Sequence, residues 1–269
     1  MRKRCMTTGP IGIFDSGVGG LTVVAELVKH CPELEFIYLG DTARVPYGTK
    51  SPEVVQAYSH KITELLITEG ASSIVIACNT ASAHALQYLR KEFSIPIEGV
   101  IEPGARRAAD LSQNGHIGVI GTQGTILSRS YLQAIKRYRP EAQIYAQPCP
   151  LFVPLAEEGW QGHEATKLII ESYLSPFRDT EIDTLVLGCT HYPLLSDDIK
   201  DYLGAKVTLV HSGEAMWQSL ISSDCALPLN GSPKRRFLAT DTGSRVRQLA
   251  ERFMGLSIDA VEHVDLNQR

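Results

Sequence analysis

The sequence predicts an α/β protein built on mainly parallel sheets, and three observations carry that reading. Short runs rich in Ile, Val and Leu alternate with longer stretches of helical period, the pattern of buried parallel strands joined by crossover helices. No low-complexity stretch and no Ser/Gly linker interrupts that alternation. The runs also resemble one another at long range. Ile11-Gly12-Ile13-Phe14-Asp15-Ser16 is similar to Ile117-Gly118-Val119-Ile120-Gly121-Thr122, and Ile74-Val75-Ile76-Ala77-Cys78-Asn79-Thr80 to Leu185-Val186-Leu187-Gly188-Cys189-Thr190-His191. Either match alone fits the ordinary likeness of apolar strands. Together, in one order and at nearly equal spacing, they suggest two copies of one strand-helix unit.

Taken in order, strands are expected at Ile11–Phe14, Glu35–Leu39, Ser73–Ala77, Ile97–Val100, Ile117–Ile120, Gln143–Ala146, Thr184–Leu187 and Lys206–Val210, with Arg236–Ala239 as the weakest candidate. Helices fill the intervals between them. Asp15 closes the first strand, and Gly17, Gly19 and Gly20 turn the chain into the first helix. Pro103-Gly104 and the stretch from Leu227 to Pro233 are the clearest punctuation, and they suggest chain crossings or loops. Glu157 and Glu158 precede Gly159 at an expected helix end, where a solvated pair of charges is the default.

With 269 residues, 43% hydrophobic, 21% charged and a net charge of −4, the chain has enough apolar material for a core and lacks the bias of disordered or fibrous sequences. The length allows two domains or one large one, with two as the first expectation. No global basic field exists to attract phosphates or anionic lipid, so nucleic acid is not an expected partner. The basic start, Met1-Arg2-Lys3-Arg4, lacks the apolar run of a signal peptide, and no segment is apolar over the length of a membrane helix. A cytoplasmic protein is therefore expected. Its six cysteines are dispersed with no CxxC pair, which in a reducing compartment means thiols rather than a disulfide or zinc framework. No metal site is expected.

Cys78 and Cys189 stand apart from Cys5, Cys31, Cys149 and Cys225. Each follows an apolar strand and precedes polar residues able to start a helix, and ligands of parallel sheets bind beyond such strand ends. A helix N-terminus draws a thiol toward thiolate; the competing fate is a small buried core residue. Two equivalent halves facing each other would put one sulfur on each side of a bound molecule. One could remove a proton from one face of a carbon while the other returns a proton to the opposite face. The loop from Asp15 to Thr22 resembles a dinucleotide fingerprint only superficially, since GxGxxG from Gly17 needs glycine where Thr22 stands. An NAD-dependent oxidoreductase is thus disfavoured. An Asp beside glycine-rich amides suits a zwitterion, or else caps a tight turn. His191 is either a proton partner of Cys189 or a packed histidine. Pro46-Tyr47-Gly48 alone reads as a turn.

Asp15-Ser16-Gly17-Val18-Gly19-Gly20, Pro46-Tyr47-Gly48, Cys78-Asn79-Thr80-Ala81 and Gly188-Cys189-Thr190-His191-Tyr192-Pro193, in this order and spacing, closely resemble the glutamate racemases of bacterial cell-wall synthesis. The resemblance runs from about residue 11 to about 260. It implies two α/β domains related by a pseudo-twofold axis, with the active site in the cleft between them. Residues 1–99 with 212–269 would form the first, and 100–211 the second. It further implies cofactor-independent interconversion of L- and D-glutamate, with Cys78 acting on the D-enantiomer and Cys189 on the L-enantiomer, for supply of D-glutamate to peptidoglycan. Asp15, His191 and Glu157 would set the protonation of the thiols. Asp15, Ser16, Tyr47, Gly48, Asn79, Thr80, Thr122, Thr125, Thr190 and His191 match the substrate-binding set, and a homodimer is implied. The segment Ala239-Thr240-Asp241-Thr242-Gly243 departs from the Gly-Asp-Pro wording of the family. An aspartate racemase of the same superfamily and a non-catalytic amino-acid-binding module are the alternatives.

Overall fold

A computed structural model describes residues 9–222, 228–229, 233–255, 257–258 and 260–266. From the N-terminal side the chain runs through β1 (Ile11–Asp15), α1 (Leu21–His30), β2 (Phe36–Gly40), α2 (Pro52–Thr68), β3 (Ser73–Ile76), α3 (Asn79–Glu92), β4 (Ile97–Gly99) and α4 (Ile101–Leu111). Then come β5 (His116–Gly121), α5 (Gln123–Leu127), α6 (Ser130–Tyr138), β6 (Gln143–Pro148), α7 (Phe152–Glu158), α8 (Glu164–Arg178), β7 (Thr184–Gly188), α9 (Ser196–Leu203) and β8 (Thr208–His211). The chain closes with α10 (Ser212–Ser222), β9 (Arg235–Ala239), α11 (Ser244–Met254) and β10 (Glu262–His263).

These strands form two sheets in which every pair is parallel, ordered β10-β9-β2-β1-β3-β4 and β6-β5-β7-β8. The first sheet therefore takes strands from both ends of the chain. β1, β2 and β7 are buried at every position, which explains their unbroken apolar runs: helices cover both faces. The half-exposed β6 is an edge strand.

The suspected repeat has a topological counterpart. Counting from the first strand of each set, β2-β1-β3-β4 and β6-β5-β7-β8 share one order. Their registers agree as well: Gly12 pairs with Ile74 and Phe14 with Ile76, as Gly118 pairs with Leu185 and Ile120 with Leu187. One apolar cluster runs through both sets, from Val24 and Phe36 to Phe152, Leu187 and Tyr192.

Three expectations need correction or completion. Pro103-Gly104 does not interrupt the chain but lies in the first turn of α4, where proline costs no hydrogen bond. A Cβ on Gly104 would sit 3.1 Å from the Tyr131 hydroxyl, so that glycine admits α6. β10 was not anticipated, because Glu262 and His263 are exposed and polar and carry no apolar run. The stretch from Leu227 to Pro233 lies largely outside the described residues, as do Cys5 and Cys225. Among the described residues no helix is long and apolar enough to cross a membrane.

Candidate active site

The registers just given bring the site together. Beyond the pair Phe14 and Ile76, Asp15 ends β1 and Cys78 stands at the start of α3. The Cys78 sulfur accepts the Ala81 amide at 3.4 Å and donates to the Ser16 hydroxyl at 3.7 Å. In the second sheet the pair Gly121 and Gly188 is followed by Thr122 and Cys189, so these two hold the strand-end places of Ser16 and Cys78. Both sulfurs line a single cavity. Ser16, Tyr47, Gly48, Asn79, Thr80, Thr122, Glu157, Thr190 and His191 line it too.

Two of the residues singled out from sequence do not reach this cavity. Asp15 lies behind it, fully buried, with Oδ2 accepting the amides of Gly17 at 3.2 Å and Gly20 at 3.0 Å. Those amides are thus turned toward Asp15 itself. Thr125 is buried beside the wall, where its hydroxyl is 3.2 Å from that of Thr80 and 3.0 Å from that of Thr122. This triangle of hydroxyls joins α3 of one sheet to α5 of the other. Gly17, Val45, Pro46 and Val153 also line the cavity. Gly17 and Pro46 belong to motifs already recognised, but Val45 and Val153 are apolar residues that no sequence signal distinguishes.

The glycine-rich loop serves close approach between the two halves. A Cβ on Gly19 would lie 2.4 Å from Thr190 Oγ1 and 2.5 Å from the His191 ring, so only glycine fits there. Thr22, the residue that breaks the nucleotide fingerprint, places its hydroxyl 2.9 Å from both the Thr190 and the Gly19 carbonyls, which share its one proton. Across the site, Tyr47 donates to Asp41, and Asp41 also takes the Arg44 Nε–H at 2.9 Å and the Thr240 hydroxyl at 2.9 Å. A fully buried carboxylate thereby holds the Pro46-Tyr47-Gly48 turn. Thr240, in the segment whose wording departs from the family, braces that carboxylate in turn.

Electrostatics set the resting protonation. Burial pushes the Cys78 thiol up to about 12, and the nearby Asp15 adds to this. Burial raises Cys189 further in the same direction, with Cys78, Asp15 and Glu157 adding. The expected lowering by a helix terminus is present, as the Ala81 amide acts on Cys78, but loss of water outweighs it. Both thiols therefore rest protonated. Burial raises Asp15 as well, against the opposing effects of His191 and of the Gly20 and Gly17 amides. Glu157 moves the other way, lowered mainly by its hydrogen bond with His191. An ionised Glu157 makes His191 Nε2 the donor of their 3.0 Å bond. In the neutral ring that leaves Nδ1 as an acceptor, 3.4 Å from the Thr190 hydroxyl and 3.9 Å from the Cys189 sulfur whose proton it can take. Among the described residues no cluster of three or more His, Cys, Asp or Glu side chains is placed to hold a metal.

Comparison with known proteins gives the family. Residues 11–220 match the family described as Asp/Glu/Hydantoin racemase. The chain is 48% identical over 260 residues to the glutamate racemase of Geobacter metallireducens, covering 95% of this chain and 96% of that one. The crystal structure of glutamate racemase isoform RacE1 from Bacillus anthracis superposes with a TM-score of 0.91 at 40% identity, over 96% of this chain and 98% of the other. That of the Francisella tularensis enzyme in complex with D-glutamate gives 0.88 at 36% identity, over 97% and 99%. An aspartate racemase from Picrophilus torridus, at 19% identity and a TM-score of 0.56, over 80% of this chain and 94% of that one, shares the fold. The chain is a racemase. It belongs to the Asp/Glu/Hydantoin racemase family.

Proposed function

We propose that this racemase interconverts L- and D-glutamate without a cofactor, using Cys78 and Cys189 as a pair of acid/base groups, and so supplies D-glutamate for peptidoglycan. One observation carries the proposal: two thiols from corresponding strand ends of two like-ordered sheets line the same cavity. On this reading residues 1–99 with 212–269 and residues 100–211 are the two domains, and the cavity lies between them.

From L-glutamate, His191 first takes the Cys189 proton, its other nitrogen held by the Glu157 carboxylate. The Cys189 thiolate then removes the α-proton, and in a second step the Cys78 thiol gives its own proton to the opposite face. From D-glutamate the roles reverse, with Asp15 as the nearby carboxylate for Cys78. Burial opposes either thiolate in the empty site, and the substrate ammonium supplies a compensating positive charge. Negative charge developing beside the α-carboxylate needs preorganised donors. The hydroxyls of Ser16, Thr80, Thr122 and Thr190 and the Asn79 amide surround the cavity to provide them.

The test is chiral analysis of product from purified protein with no added cofactor and reduced thiols, offering L-glutamate and L-aspartate separately. Inversion of glutamate alone supports the proposal. Inversion of aspartate instead would move the substrate to the sister branch, and inversion of neither would contradict the assignment.

A further inference from the structure

The C-terminal helix α11 packs against the half of the site that holds Cys189, and it makes three separate contacts there. Phe253, 3% exposed, meets the His191 ring edge to face, with centroids 5.0 Å apart and planes at 78°. Arg252 donates from Nη1 to the Glu157 carbonyl at 2.6 Å. Arg245 pairs with the carboxylate of Glu158. α7, which carries Glu157, has only seven residues, too short to hold a geometry unaided. Gly159 ends it in the left-handed conformation at φ 74, and a Cβ there would lie 2.9 Å from Arg252 Nη1. That glycine both stops α7 and leaves room for the guanidinium.

These contacts converge on one chain of groups. Glu157 fixes His191 Nε2, and His191 Nδ1 faces Cys189. Those hydrogen bonds tether the ring nitrogens, and what packs against the ring limits how far the imidazole can tilt between them. Phe253 supplies that wall, and Arg252 holds the backbone of the residue that anchors the other nitrogen. Cys78 has no such support from α11: its sulfur is held by the Ala81 amide and Ser16.

We propose that Phe253 and Arg252 are positioning residues for the Cys189 side of the reaction, setting the direction in which His191 accepts the Cys189 proton while leaving the Cys78 side untouched. The inference rests on the two-thiol reading above and names residues outside the cavity lining.

Enantiomers have equal free energy, so kcat/KM must fall equally in both directions in any variant, and the loss itself cannot show which side was disturbed. The isotope effect can. The experiment compares kcat/KM for α-protio and α-deutero L- and D-glutamate in the wild-type protein, Phe253→Leu and Arg252→Met, with Arg247→Ala as control on the same helix. Among the described residues Arg247 pairs with Glu251 of that helix, at 3.3 Å. Arg252 is exposed, so Arg252→Met keeps the test open if Phe253→Leu unfolds. Both variants are expected to lose about tenfold in kcat/KM, a part of what a positioned general base supplies. The isotope effect should rise for the enantiomer whose proton Cys189 removes, assigned as L, and fall for D, with Arg247→Ala like the wild type. Equal isotope effects for the two enantiomers in both variants, or unchanged kcat/KM, would overturn the proposal. A wild-type protein that exchanges no α-proton would instead remove the two-thiol reading beneath it.

Discussion

The two thiols have unequal neighbours. Cys78 has the buried carboxyl of Asp15 beside it, whereas Cys189 reaches the carboxylate of Glu157 only through His191. Replacing Glu157 by Gln keeps the shape but removes the charge that fixes the imidazole tautomer, so kcat should fall by about 100-fold with KM little changed, the lower end of what a positioned acid/base group supplies. Steady-state kinetics showing less than a threefold loss, again as an order of magnitude, would remove Glu157 from that role. Because burial holds both thiols above the ordinary range, alkylation of Cys78 and Cys189 in the free protein should climb with pH past about 8.5, roughly tenfold per unit. Peptide mapping that shows a plateau already reached below neutrality would mean that one thiol rests ionised. The cysteines themselves were legible from sequence, since each closes an apolar strand. Their protonation was not, because desolvation depends on what the rest of the chain packs around them.

At the scale of elements, loops that arrive at one place from opposite sheets decide the site. The glycine-rich turn after β1 closes on the loop after β7, and the turn at Tyr47 closes on α5. A Cβ on Gly48 would lie 2.7 Å from that of Thr122, the residue whose hydroxyl caps α5 through the Thr125 amide at 3.2 Å. Gly48→Ala should therefore push the Pro46-Tyr47-Gly48 turn away from α5 and raise KM by about tenfold, as loss of roughly 1.4 kcal/mol of binding requires. An unchanged KM would show that the turn yields without cost. Strands with continuous apolar runs could be read in advance because both their faces are covered. The roles of Gly19, Thr22 and Thr240 could not, since each is defined by a partner far away in sequence: Thr190 and His191 for the first, Thr190 for the second, Asp41 for the third. Pro103-Gly104 misled for a related reason. Proline stops a helix interior but fits its first turn, and only the packing of Tyr131 against Gly104 shows why both residues stand there.

The molecule as a whole repeats one strand order and one register, and the repeat explains why the site has two sides. Pairing of Phe14 with Ile76 and of Ile120 with Leu187 sends two equivalent strand ends to a common cavity, each delivering a hydroxyl and a thiol. A ligand bound between them contacts both sheets, so L- or D-glutamate at 100 times its dissociation constant should stabilise the fold by about 2.7 kcal/mol. That is a rise in Tm of roughly 5–10 °C for a chain of this size, and a thermal melt unmoved by either enantiomer would mean that glutamate does not bind there. Which reaction follows depends on where each proton comes from. A thiol carries one proton, so a thiolate that removes the α-hydrogen holds only that hydrogen, and can return only that hydrogen to the same face. The most direct measurement is the isotopic fate of the α-position when L-glutamate turns over in deuterium oxide at low conversion, followed by mass spectrometry of the separated enantiomers. Two-thiol chemistry predicts deuterium in the D-glutamate formed and protium in the L-glutamate recovered. D-glutamate that retains the original hydrogen would mean that one group serves both faces, and would contradict the assignment of Cys78 and Cys189 to opposite sides.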